Sequence, residues 1–268
     1  MQRILTNYRL SIFLPVKLNI SISMLKKSLT LLLFSCNTYL LHAQKYLQPK
    51  YEVGLNGGVF IYQGDLTPWV TGSIETMSSQ FSVRVSRILN PSLSASLNLT
   101  RGKLYGDDAK YGSPDFRQQR NFNFSTPVTE FSLLGIYNFF QSNPTRFYPY
   151  IFAGAGFSFL KVRRDWSKIN TSIFPVGGDV QNRLITDSSK RLPNIMPVVP
   201  AGIGLHLALS ESISLIVESN YRFSFTDYLD GFSIAANPKK NDHYFSHSIG
   251  LVFTFNRENK TLRCPVIK

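Results

Sequence analysis

From Tyr51 to Phe255 the chain alternates repeatedly between an apolar residue and a small or polar one. A period of two puts successive side chains on opposite faces of a strand, whereas a helix needs a period near 3.6. Residues 93–100 are the cleanest case, with Leu93, Ala95, Leu97 and Leu99 on one face and Ser94, Ser96, Asn98 and Thr100 on the other. The pattern returns with larger side chains in Phe245, Ile249, Leu251, Phe253 and Phe255 against Ser246, Ser248, Gly250 and Thr254, with His247 breaking the apolar series. Ala201, Ile203, Leu205, Leu207 and Leu209 oppose Gly202, Gly204, His206 and Ala208. Ile213, Leu215, Val217, Tyr221 and Phe223 oppose Ser214, Glu218, Asn220, Arg222 and Ser224. Further runs near 51–63, 79–89, 126–140 and 147–162 bring the total to eight. Each meets the ~9–11 residues that a tilted strand needs to cross a bilayer. Eight strands is also the smallest closed size usual for a membrane barrel.

The connections alternate as well. Short turns are expected at Leu89-Asn90-Pro91, at Gln141 to Arg146 and at Ser210-Glu211-Ser212, and long loops at 64–78, 104–125, 163–195 and 226–243. In outer-membrane barrels the short turns face the periplasm and the long loops face outward, so both termini are expected to be periplasmic. A soluble barrel buries its apolar face, whereas a membrane barrel turns that face to lipid. The weaker face here carries Arg84, Glu130, Glu218 and Arg222 among Ser, Gly and Asn. Charges of both signs can pair inside a narrow lumen but are costly against lipid, so these four are expected to form a lumen network. Aromatic residues gather at strand ends: Tyr137, Phe139, Phe140, Phe147, Tyr148 and Tyr150 near one turn, and Tyr221, Phe223, Phe225, Tyr228, Tyr244 and Phe245 near the last loop. They suggest two interfacial girdles.

The first 43 residues contain Arg3, Arg9, Lys17, Lys26 and Lys27 and no acid. From Met24 the Lys26-Lys27 pair, the apolar run Leu29 to Phe34, Leu40-Leu41 and Ala43 before Gln44 form an export signal. Domain organisation is therefore expected as a signal region at 1–43 with its true start at Met24, a barrel at 44–256 and a periplasmic tail at 257–268. Removing those five basic residues leaves 24 Lys and Arg against 16 Asp and Glu, a net charge of +8 rather than +13. For an exported chain without a nucleic-acid motif, such a balance points to anionic lipid headgroups and envelope polymers. Cys36 lies in the signal beside a Leu33-Phe34-Ser35 stretch resembling a lipoprotein box, with bulky Phe34 in the way, and Cys264 lies in the tail, so an internal disulfide of the mature chain is not expected.

Chemical motifs are sparse. His243 and His247 are ~13 Å apart along a strand, too far to share a metal. Gly154-Ala155-Gly156 lacks a third glycine and a following helix. Gly156-Phe157-Ser158 opens like a nucleophile elbow, but Leu160 occupies the position of the closing glycine. Asp107, Asp108, Asp227, Asp230 and His243 are the rim residues that an enzyme would need to gather; they are expected as solvated loop groups, without the spacing of a calcium loop. No catalytic residue, cofactor or metal is expected.

Several short segments stand out together: Gly57-Gly58 with Tyr62, Gly64, Asp65 and Leu66; Gly106-Asp107-Asp108-Ala109; Arg120-Asn121-Phe122; Thr129-Glu130; the run Tyr148 to Gly156; and Thr226-Asp227-Tyr228-Leu229-Asp230. As a set they resemble the PorG-type outer-membrane barrels of the type IX secretion and gliding-motility apparatus. The resemblance implies an OmpA/OmpX-like eight-stranded transmembrane barrel that is not an enzyme. It also implies an anchor for a periplasmic secretion-ring lipoprotein complex, for which the chain would offer its short turns, Gln44 to Lys50 and a tail with Arg257, Lys260, Arg263 and Lys268. The alternative is a surface interaction or adhesion protein acting through its outer loops, with Arg117, Arg120 and Trp166 as contact candidates.

Overall fold

Nine strands account for the alternating runs: β1 (Lys50–Gln63), β2 (Ser78–Asn90), β3 (Leu93–Asp107), β4 (Asn123–Asn138), β5 (Phe147–Leu160), β6 (Arg163–Asp165), β7 (Ile195–Ala208), β8 (Ile213–Ser224) and β9 (His243–Asn256). The computed structural model describes residues 50–69, 71–139, 146–237 and 241–256. The expected signal region, Cys36, Phe140 and the tail with Cys264 lie outside the described residues, as does most of the turn at 141–146.

Eight of the strands form a closed antiparallel ring in the order β1, β2, β3, β4, β5, β7, β8, β9. β9 closes it against β1 from Lys50↔Asn256 to Gln63↔His243. Every backbone edge in the ring therefore has a partner, the condition for a sheet to stand in hydrocarbon, where no water can satisfy a bare N–H or C=O. The three-residue β6 pairs only with Asn123–Ser125 of β4 and extends the wall at the long-loop end.

The polarity is inside out. Leu97 and Ile203 are 65% and 64% exposed on the outer face, in rows with Leu55, Val85, Phe131, Leu133, Val217 and Ile249. The alternate residues Ser96, Thr100, Glu130, Glu218 and Arg222 are buried inside. A belt of Leu, Ile, Val and Phe around the whole circumference is far larger than the apolar patch a soluble monomer leaves in water, and facing acyl chains removes that cost. The wall is a transmembrane β-barrel.

Three expectations need correction. β3 runs to Asp107 and β4 starts at Asn123, so the second long loop is shorter than 104–125. The third long connection, expected as a loop at 163–195, holds β6 and an eleven-residue helix, while the second holds a short one. These helices are α1 (Phe116–Arg120) and α2 (Asp179–Ser189), and they are too short to impose a readable period. The lumen is also not uniformly polar. Leu134, Ile136, Tyr150, Phe152, Ile216 and Val252 pack together inside at the short-turn end. A second cluster at the other end joins Phe60, Tyr62, Phe124 and Tyr244 of the wall to Leu66, Leu184, Leu229 and Phe232 of the loops. The loops fold back over the barrel mouth and exclude water from it, so apolar side chains are favoured there. Tyr150 and Tyr244 fall on the inner face of their strands and are buried in these two clusters rather than joining a girdle, whereas Tyr137, Phe147, Phe223 and Phe225 are exposed on the outer face.

Candidate functional site

Two charged crossbars span the lumen, both rooted in β8. Glu218 and Arg222 lie four residues apart on its inner face, ~13 Å along the strand. Arg84 of β2 sets one guanidinium nitrogen 2.6 Å and 2.7 Å from the two carboxylate oxygens of Glu218, and the Tyr150 hydroxyl donates to the same carboxylate at 2.6 Å. Nearer the long-loop end Arg222 Nε donates to Glu130 of β4 at 2.6 Å and its Nη1 donates to Ser246 Oγ at 2.6 Å. Tyr244 and Ser132 also donate to Glu130, and Arg222 lies over the Phe60 and Tyr244 rings at 5.1 Å and 5.3 Å. The structure thus joins Arg84 to Glu218 and Arg222 to Glu130, two short buried pairs whose remaining polar atoms are mostly supplied by hydroxyls, as buried charges require.

Above the crossbars the four long loops interlock as a cap. In the second loop, Asp108 accepts from Arg117 Nη1 at 3.1 Å, from Arg120 Nε at 2.7 Å and Nη2 at 3.1 Å, and from the Phe122 N–H at 3.4 Å. Arg117 continues across to the carbonyls of Asp65 and Thr67 in the first loop at 3.1 Å and 3.0 Å. Asn121 ends α1 in the left-handed region at φ 53°, a conformation asparagine tolerates better than most residues. Gly106 lies against the Phe124 ring, which a β-carbon there would strike. Asp107 closes the local turn, accepting from the Tyr105 hydroxyl and from the Ala109 N–H.

The third and fourth loops are joined through Asp187 of α2, whose carboxylate accepts from the N–H groups of Ser233, Ile234 and Ala235 at 3.2, 3.2 and 2.9 Å and from the Tyr228 hydroxyl at 3.3 Å. Arg164 of β6 donates to the carbonyls of Gly231 and Asp187. The first and fourth loops meet at Tyr62. Its hydroxyl lies 2.7 Å from Asp230 Oδ2 and 2.7 Å from Asp242 Oδ1, and accepts the Asp65 N–H at 3.1 Å. A phenol has one proton to donate. Both short contacts are satisfied only when one of the two carboxyl groups is protonated and donates in turn, which leaves the hydroxyl as donor once and acceptor twice. Burial raises the pKa of both Asp230 and Asp242 well above the ordinary carboxylate value, in keeping with that sharing. Asp227, also desolvated and near Asp65 and Asp187, is raised to about 7. A β-carbon at Gly64 would strike the Tyr62 hydroxyl and the Asp242 carboxylate, so only glycine leaves space for this latch.

Two of the rim acids are not solvated loop groups: Asp108 and Asp230 are fully buried and committed to the loops' own bonds, whereas Asp107, Asp227 and His243 are half-buried. Nor are Arg117 and Arg120 free surface contacts, because both are buried against Asp108, and Trp166 packs on the cap's apolar cluster. His243 lies at the rim, its Nδ1 accepting the Ser224 N–H at 3.2 Å. Among the described residues no three His, Cys, Asp or Glu side chains are placed to hold a metal ion. Sequence reasoning missed Asp187 and Asp242. Both sit alone in polar loops, and only the long-range fold gives either its partners.

Of the segments that carried the family resemblance, Tyr62 to Leu66, Gly106 to Ala109, Arg120 to Phe122 and Thr226 to Asp230 meet in this cap, whereas Gly57-Gly58, Thr129-Glu130 and Tyr148 to Gly156 lie in the barrel wall. A family model described as "Domain of unknown function (DUF6089)" matches residues 26–260. No curated protein sequence matches the chain. Among solved structures, Neisserial surface protein A is similar, with 16% identity and a TM-score of 0.44 over 76% of this chain and 97% of its own. A major outer membrane protein from Thermus thermophilus has 13% identity and a TM-score of 0.43 over 77% and 99%. The outer membrane enzyme PagL has 15% identity and a TM-score of 0.35 over 76% and 99%.

Proposed function

We propose that this chain, which belongs to the family described as Domain of unknown function (DUF6089), is a non-enzymatic scaffold of the bacterial outer membrane that anchors or supports an envelope assembly. The observation that carries this reading is the sealed lumen. Among the described residues, two ion-pair crossbars, an apolar cluster near the short turns and an interlocked cap stand across the lumen and obstruct passage of a solute. A barrel that does not conduct acts through its surfaces, and its work is to hold those surfaces at the membrane. The residues resembling PorG-type barrels make a type IX secretion-ring lipoprotein complex the partner of choice, reached from the short-turn end with both termini in the periplasm. The test is affinity capture of the tagged full-length protein from detergent-solubilised membranes after cross-linking in cells. Recovery of a periplasmic lipoprotein complex is expected, and capture of outer-membrane lipid alone would overturn the proposal.

The order of the cap favours a second reading, a surface interaction protein. Loops held by Asp108, Asp187 and the Tyr62 latch present a rigid outer face, as a docking surface needs. Deleting residues 163–195 separates the two: it removes a surface contact and leaves a periplasmic complex intact.

A further inference from the structure

In its long-loop half the wall carries outward cations on one side only. Arg101 and Lys103 are exposed on β3, Lys161 is exposed just beyond the end of β5, and Arg163 is exposed on β6. The register sets them side by side. Arg101 and Lys103 face Thr129 and Pro127 of β4, while on the far side of β4 the Lys161 N–H donates to the Pro127 carbonyl and Arg163 pairs with Ser125. Two pairs of cations thus flank a neutral strand, two strand spacings or ~10 Å apart. Among the described residues none of the four is in an ion pair. Toward the loops the acids Asp107 and Asp165 flank Asn123 and accept bonds of their own, from Tyr105 and Ala109 and from the Ser167 N–H.

The rest of the circumference differs. In the same half of the wall the outer faces of β7, β8, β9, β1 and β2 hold no Lys or Arg, and carry residues such as Ile195, Tyr221, Phe245 and Phe81 instead. A general attraction to a charged membrane surface has no need of such grouping, whereas a bound anion does. Next to the cations, toward the middle of the apolar belt, a groove of about 840 Å3 crosses β2, β3, β4, β5 and β7. Leu99, Phe131 and Phe157 line its near end. Leu99 precedes Arg101 by two residues on the outer face of β3, and Phe157 precedes Lys161 by four, so a single molecule can fill the groove and reach the cations.

That molecule has chains at one end and anions at the other. At the boundary between hydrocarbon and headgroups the anion a lipid presents is phosphate, which arginine meets as a planar fork and lysine as a point charge. Two separated pairs of cations suit a headgroup with two phosphates, and a groove five strands wide suits more chains than a glycerophospholipid has. We propose that this face of the barrel binds a bisphosphorylated, multi-chain glycolipid of the lipid A class, with Arg101 and Lys103 at one phosphate and Lys161 and Arg163 at the other. The assignment rests on the long-loop end facing outward, toward the leaflet that holds such lipids, and stands whether or not the barrel anchors a secretion complex.

Full-length protein in detergent, titrated with bisphosphorylated lipid A, its dephosphorylated form, its deacylated sugar and phosphatidylglycerol and read by native mass spectrometry, should retain the first and release the other three. A cation near a membrane surface is worth about fivefold in affinity, so Arg101→Gln with Arg163→Gln should weaken retention of lipid A about 25-fold. Lys190→Gln with Arg191→Gln removes the same charge from exposed positions in the third loop and should leave retention unchanged. The heat-dependent gel mobility of each variant reports the folded barrel, which substitutions at exposed, unpaired cations should not alter. Equal retention by the parent and the Arg101/Arg163 variant, an equal loss in the loop variant, or equal binding of the dephosphorylated or deacylated form overturns the site. Selection of phosphatidylglycerol that still requires Arg101 and Arg163 would put these cations in the opposite leaflet and overturn the lipid assigned to them.

Discussion

Replacing Glu130 with leucine would leave the Arg222 guanidinium, 2% exposed, with Ser246 as its remaining polar partner and two aromatic rings as neighbours. A guanidinium cannot shed its charge, so the variant bears an uncompensated buried cation, a loss of about 3–5 kcal/mol. Arg222→Met makes the smaller defect, since Glu130 retains Tyr244 and Ser132 as donors and a lone carboxylate can take up a proton. A cost of roughly 2–3 kcal/mol follows from removing a charge-assisted bond of that kind. The double variant removes both charges and refills the volume with methylenes, so it should return to within about 1 kcal/mol of the parent, as buried pairs replaced by apolar groups do. The single variants then sum to about 5–8 kcal/mol, and subtracting the ~1 kcal/mol of the double leaves a coupling energy across the crossbar of about 4–7 kcal/mol. Urea unfolding in lipid vesicles, followed by far-ultraviolet circular dichroism on all four proteins, measures each step. Two single variants that add to within about 0.5 kcal/mol would show that the residues do not act as a pair and that the lumen is hydrated.

The cap yields further tests. Gly64→Ala should displace Tyr62 from Asp230 and Asp242, and Tyr62→Phe removes the hydroxyl outright, so both should raise proteolysis of the fourth loop while the barrel's strand signal stays constant. Because burial raises the pKa of Asp227, Asp230 and Asp242, the folded cap retains protons that the unfolded loops release above ~4. Its stability is therefore full below that pH and is lost as pH rises through about 7. Arg164 is the cation facing these acids, Asp65 and Asp187 add charge of their own sign, and Asp227→Asn should flatten the upper part of the profile in amide exchange at Leu229 and Phe232. Asp187→Ala strands two buried N–H groups and a half-buried one and should cost about 2–4 kcal/mol in local opening of residues 233–235, read by the same exchange. In planar bilayers the parent should show no stepwise conductance, and steady channels of the unaltered protein would contradict a sealed lumen.

The barrel was legible because a membrane wall obeys two rules at once. The alternation at Leu93 to Thr100 and Ile213 to Ser224 sets which face is apolar, and charges of both signs on the weaker face, Arg84, Glu130, Glu218 and Arg222, set which way that face points. Closure then follows, since an open edge has no partner in lipid. The loops obey neither rule. Asp108, Asp187, Asp230 and Asp242 look like solvated acids because polar loops usually are, and no local pattern distinguishes an aspartate facing water from one accepting three N–H groups 46 to 48 residues away. What did carry information was the set of short segments that resembled a family, Tyr62 with Gly64, Asp108 with Arg120 and Asn121, and Tyr228 with Asp230. Their meaning changed once their positions were known: a glycine under a phenol, an asparagine in the left-handed region and a carboxylate between two arginines are requirements of one interlocked cap. A resemblance carried by such residues therefore tracks the building of the cap.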